Sequence, residues 1–457
     1  MANKRIILFK NLTISIVLVC MLLLVSCDAY TNKDFFSKQF PAINKQHERV
    51  LPEFYNENLI GFENKDETDT LYLFSSPVYI NENNVLDICD NTITQVSTDS
   101  EFSQHYLYTN KFNNVKTYLP ETIDTLNGIH IEYNNTVINV FSEKNKVKPN
   151  KVLYKNVYGK RSEYVCYEEG DNQYYITIED FGIHTEFVLK NNKTTEIIYF
   201  ISMENVNLDK SSPDYILFRE TENNDVKAII YYPIIIGKTE NLLEAMSNKH
   251  NTVEITETEN GIYKMTINLD QNYINNIKFP VKVSQTFHLY KAKQPHTSIY
   301  SNSNKSHYLN DTIVLGNGAR GEGQLLVRFE ALDLLNINPQ NIISAEYVIS
   351  EISGTKGEAS IALYPVISNW CSINVRWNIK PLYSTENAYR ATVSESGDYR
   401  FELAEILKQW VTNRGKEGDY TTRHGFVLIN ETSDVPKLFA TCNSGIFTSC
   451  LIIKMQK

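Results

Sequence analysis

The stretch Asp311–Glu330, DTIVLGNGARGEGQLLVRFE, admits two opposed folds. Gly316, Gly318 and Gly321 have the G-x-G-x-x-G spacing of a dinucleotide-binding turn. That turn works only if a helix follows at once, because the unpaired N–H groups of the helix N-terminus hold the pyrophosphate. Here Gly323 comes next and then QLLVRFE, an apolar run of strand-forming residues. The stretch therefore predicts two β-strands joined by a tight glycine turn, and no nucleotide cofactor.

The same pattern extends in both directions. Short segments rich in Ile, Val, Tyr, Phe and Thr recur between Asn, Gly and Asp turns, among them TLYLFSSPVYI, TVINVFS, YYITIEDF, AIIYYPIII, SAEYVISEIS and GFVLIN. The chain holds 29 Tyr and 21 Phe, an aromatic load suited to sheets. The expectation is an all-β protein, its C-terminal part a jelly-roll-like β-sandwich with one short helix, preceded by one or two β-rich domains. The helix is read in FELAEILKQWVTNRG, where Leu403, Ile406, Leu407, Trp410 and Val411 form one apolar stripe and Gly415 marks the stop.

The first residues read as an export signal. Lys4, Arg5 and Lys10 precede an apolar run of fourteen residues, Leu12–Val25, too short for a comfortable membrane span. Leu24-Val25-Ser26-Cys27 resembles a bacterial lipobox, which makes Cys27 the expected lipid attachment site. The alternative is an uncleaved anchor; either way the chain is expected at the extracellular face of the cell membrane. The expected division is a signal peptide over 1–27, a tether over 28–50, a β-rich region over 51–289 with a split near 145, and a sandwich over 290–457.

The whole chain has 44 basic and 54 acidic residues. Losing residues 1–27 removes three basic and no acidic groups, which leaves a net charge of −13. Such a chain does not suit nucleic acid or an anionic lipid surface as partner. Five cysteines remain after the signal, with no CxxC pair and no His/Cys cluster, so no zinc site is expected. Cys442 and Cys450 flank NSGIFTS, where a hairpin would bring them together as a candidate disulfide. Asp311 is a candidate ligand for a structural calcium, without a D-x-D-x-D run behind it. No G-x-S-x-G elbow or H-E-x-x-H pair occurs, and the nine histidines are scattered. No catalytic residue, metal site or cofactor is assigned.

Residues 296–457 resemble the DNRLRE domain, which is similar to the disaggregatase-related modules and to family 96 of the carbohydrate-binding modules. The resemblance is carried by TIVLGNG, LLVRFEALDLL followed by IISAEYVI, YPVISNWCSINVRWNIKP, YRFELAEILKQWV and HGFVLINETSD. Family members usually open on Asp-x-Tyr/Phe-Val, where this chain has His296-Thr297-Ser298-Ile299. The upstream half resembles, more loosely, the β-rich region preceding this domain in surface proteins with RHS repeats. It does so through SSPVYINENNVLDICDNTI, YTNKFNNVKTYLP, KVLYKNVYG, GIHTEFVLKN and FPVKVSQT.

The resemblance implies a surface lipoprotein whose sandwich binds envelope or extracellular polysaccharide. The alternatives are a structural or assembly partner without a glycan site, and a polysaccharide-cleaving enzyme. Aromatic faces stack on sugar rings, and the candidate binding residues are Tyr300, Tyr308, Tyr383, Tyr389 and Trp370. Trp377, seven positions from Trp370, would point to the other face of an unbroken strand and is expected in the core, as is Trp410 on the helix stripe.

Overall fold

A computed structural model describes residues 47–457 apart from 57, 76–78, 83–84, 248–250, 260, 290–295, 330–336, 354–355, 387, 414–423 and 445–448. The expected export signal, Cys27, most of the tether and the helix stop at Gly415 lie outside the described residues. The described chain is mostly antiparallel β-structure, arranged as two sandwiches.

The first sandwich packs an eight-stranded sheet against a nine-stranded one. Alternation drives it: Ile262–Leu269 buries every second residue, so Tyr263, Met265 and Ile267 enter the core while Lys264 and Thr266 face out. Across the core they meet Ile176, Phe187, Phe218 and Phe287 of the other sheet. Each such side chain contributes about 1.5–3 kcal/mol by leaving water. Strands from both sides of position 145 share one sheet, with Val140 opposite Ile201, so no domain boundary falls there.

The strand Gly182–Leu189 is buried at every position. Its Ile183, Phe187 and Leu189 enter the core, and the intervening His184 and Glu186 project from the other face of the sheet. Two buried polar side chains on one outer face signal that something covers them. The cover begins within the same unit: the Tyr154 hydroxyl and the Val157 N–H donate to Glu186, the Tyr158 ring lies 5.6 Å from His184, and the second sandwich packs on Tyr158.

That second unit is a 13-stranded sheet folded over on itself. Its turning point is the glycine stretch: Thr312–Gly318 and Gly321–Val327 form an antiparallel hairpin, with Gly318 opposite Gly321. Gly321 has φ of 80°, and a Cβ at Gly323 would lie 1.9 Å from the carbonyl oxygen of Val314. The glycines serve close strand approach, and a strand follows them. Ile313 and Leu315 from one layer, Leu325 and Leu363 from the other, enclose a single core. The helix Ala404–Asn413 closes one side through Ile406, Leu407 and Trp410, the Trp410 ring lying 4.6 Å from Phe426.

Two expectations need correction. Strands His47–Asn56, Leu59–Asn64 and Thr68–Phe74 do not belong with the N-terminal region; they extend the C-terminal sheet, Thr68–Phe74 pairing with Cys450–Gln456. The sandwich therefore draws on both ends of the chain. And Cys442 and Cys450 are free thiols. Lys437–Ala440 and Cys450–Gln456 flank Ile342–Glu351 on opposite sides instead of forming a hairpin. Strands two places apart are about 10 Å apart, beyond the reach of a disulfide.

Candidate functional site

The two sandwiches touch through two apolar clusters. In one, Tyr158, Ile236, Leu242 and Ala245 of the first unit meet Ile352, Leu438 and Ala440 of the second. In the other, Tyr215, Leu217, Ile229 and Tyr231 meet Leu309, and the Tyr231 hydroxyl donates to the Leu309 carbonyl oxygen at 2.8 Å. A cavity of about 650 Å³ opens at this junction, lined by both units. This is within the size range of small-ligand sites.

The polypeptide places four tyrosines on the cavity wall, Tyr158, Tyr231, Tyr232 and Tyr300. Tyr158 follows the strand Val147–Lys155, Tyr231 ends Val226–Tyr231, and Tyr300 ends His296–Tyr300. Asp214 and Arg320 face each other across the junction as a bidentate ion pair. Beside them, His307 lies with Nδ1 3.5 Å from Asp214, and burial lowers its pKa to about 4.

Asn310 and Asp311 form the remaining polar edge, in the turn before Thr312–Gly318. Burial pushes the Asp311 carboxyl up to about 6; among the described residues its side chain accepts a hydrogen bond from the Thr312 hydroxyl, at 3.3 Å. Asn310 is 5% exposed, and its side-chain oxygen has no hydrogen-bond partner among the described residues.

Behind the wall, Thr286 and Ser284 reach from the cavity to a buried imidazole. His184 Nδ1 is 2.9 Å from the Thr286 hydroxyl, and its Nε2 is 3.4 Å from Glu186 and 3.3 Å from the Ser284 hydroxyl. Burial opposes charge on Glu186, yet His184, Lys282 and the Tyr154 hydroxyl hold its pKa below the usual value. These four residues are cross-strand neighbours, His184 opposite Thr286 and Glu186 opposite Ser284. They form the polar layer that satisfies the sheet's covered face. A second pair, His288 Nε2 with Glu179 at 2.7 Å, continues it.

The five aromatic candidates do not assemble into one platform. Tyr300 is 5% and Trp370 7% exposed, so both are core residues and not loop-borne stacking surfaces. Tyr300 still borders the cavity, with the Arg320 guanidinium 5.5 Å over its ring. Trp370 sits under the loop that covers the outer layer of the second sandwich, its indole N–H donating to the His424 carbonyl oxygen at 2.7 Å. Tyr383 is half-buried against the same cluster, Tyr308 against the junction and Tyr389 against the main core. Trp377, expected in the core, is half-buried at the start of a 3-10 turn, with the Lys380 ammonium 3.8 Å over its ring.

Asp311 is on the cavity wall, and no group of three or more His, Cys, Asp or Glu able to hold a metal occurs among the described residues. Tyr158, Asp214, Tyr231, Asn310 and Arg320 carry no local sequence signal, because the wall is assembled from distant segments. No helix among the described residues is long and apolar enough to cross a membrane.

No family model matches the chain, and no curated protein sequence matches it. Among solved structures, the exo-β-1,3-galactanase of Phanerochaete chrysosporium aligns over 89% of this chain and 94% of its own. The identity is 8% and the TM-score 0.13 for the β-1,3-galactotriose complex. Its galactose complex aligns over the same shares at 10% identity, also with a TM-score of 0.13. Similarity at this level carries no argument about fold or function.

Proposed function

We propose that this protein is a membrane-tethered surface lipoprotein that binds polysaccharide, and that the cavity between its sandwiches is the saccharide site. The observation that carries this reading is the cavity's composition: the half-buried Tyr232 ring for stacking beside carboxylate, amide and hydroxyl groups for the sugar hydroxyls. The resemblance of residues 296–457 to carbohydrate-binding modules supports it. The site differs from the loop aromatics that the sequence suggests, because more than half of its wall comes from the first sandwich.

Ala319 is an exposed residue on the wall and offers a clean test. Native electrophoresis in gels containing neutral and acidic polysaccharides should retard the intact protein on at least one of them. Ala319→Trp should abolish the retardation without lowering the melting temperature, while Tyr383→Ala should leave it unchanged. Binding that survives in Ala319→Trp and disappears in Tyr383→Ala would move the site to the loops. No retardation across a broad glycan set would leave a spacer or assembly role. For the tether, Cys27→Ala should abolish incorporation of labelled fatty acid.

A further inference from the structure

The cavity wall has an unbalanced charge. Among the described residues that line it, two are acidic and one is basic. The basic one, Arg320, is committed to Asp214, and the nearby imidazole of His288 is held by Glu179 at 2.7 Å. Among the described residues, the Asp311 side chain has a neutral hydrogen-bond partner only, the Thr312 hydroxyl. A carboxylate drawn out of water without a counter-charge is costly, and a bound cation removes that cost.

Two independent features point to the same ligand chemistry. The Asn310 side-chain oxygen next to Asp311 is buried and unsatisfied, an acceptor awaiting an N–H or O–H donor. Tyr158, Tyr231 and Tyr300 line the same cavity, and tyrosine faces attract cations. Tyr300 already accepts one, the Arg320 guanidinium at 5.5 Å.

We infer that the ligand carries a free amine: an amino-sugar polysaccharide whose ammonium group is bound by Asp311 and Asn310 among the tyrosines. The inference rests on the cavity being a saccharide site, and it specifies which saccharides are preferred. N-acetylation would remove the charge and add bulk, so the free-amine form is the one selected. The overall negative charge of the chain favours approach of such a cationic polymer.

Calorimetric titration of the intact protein at about pH 7 tests this with three probes: a β-1,4-glucosamine tetramer, its fully N-acetylated counterpart, and cyclohexylamine. The free-amine tetramer should bind roughly tenfold or more tightly than the N-acetylated one. Asp311→Asn, shown to be folded by its melting transition, should erase that preference. Equal affinity for the two tetramers, or a preference that persists in Asp311→Asn, overturns the inference and leaves the saccharide site standing. Cyclohexylamine binding that Asp311→Asn abolishes, with neither tetramer bound, supports an amine site and overturns the saccharide reading. Failure of all three probes overturns the amine inference itself.

Discussion

Asp311 pays for its position in stability. Burial raises its pKa from 3.8 to about 6, so the folded protein holds this proton more tightly than the unfolded chain does. Stability from this group is therefore present at low pH and is lost as pH rises from about 4 through about 6. Asp311→Asn should stabilise the protein by roughly 1–3 kcal/mol at about pH 7.5, and the gain should vanish below about pH 4. Urea denaturation at the two pH values checks both halves. The tryptophans supply a second residue-scale contrast. Trp370 is buried and its N–H is satisfied by His424, so Trp370→Ala should cost about 3–5 kcal/mol. Trp377, half-buried, should cost only about 1–2 kcal/mol. A larger loss at Trp377 in thermal melts would restore it to the core.

At the scale of elements, the glycine hairpin carries the fold of the second sandwich by linking its two layers. Gly323 is the position that tolerates least, since a Cβ there would collide with backbone and not with a flexible side chain. Gly323→Ala should destabilise by about 3 kcal/mol or more, or abolish soluble expression. Gly170, where a Cβ would meet nothing within 4 Å despite φ of 57°, is a milder control: Gly170→Ala should cost about 1 kcal/mol. Comparable losses at both sites would show that backbone conformation, and not close approach, is what Gly323 serves. The helix Ala404–Asn413 behaves as its apolar stripe foretells, because a period of 3.6 residues is a property of the local chain and the core simply receives the face it creates.

The whole molecule is held together by long-range pairing. Cys450–Gln456 has Thr68–Phe74 on one side and Ile342–Glu351 on the other. A fragment of residues 296–457 therefore presents an unpaired inner strand as an edge and uncovers the apolar junction clusters. It should aggregate or melt well below the intact protein. Size-exclusion chromatography of the fragment, alone and with residues 47–74 fused back, separates the edge effect from loss of the first sandwich. A monomeric fragment with an intact melting temperature would show that the C-terminal unit is independent after all.

Much of the fold was legible in the sequence: strands from alternation and turn residues, the helix from its stripe, and the hairpin from glycines followed by an apolar run. These are local signals, since side-chain period and turn geometry depend on a few neighbouring residues. Of the candidate site, only Tyr300 and Asp311 were singled out, each for another role: a loop stacking surface and a calcium ligand. Which strand lies beside Cys450–Gln456, why Cys442 and Cys450 stay apart, and how Trp370 became more buried than Trp377 were decided only by tertiary structure. Each depends on what packs onto a sheet's outer face or slips between two strands, and no local pattern encodes that. The cavity belongs to the same class. Its wall joins Tyr158 and Asp214 to Asn310, Asp311 and Arg320, residues brought together only when the two sandwiches pack against each other.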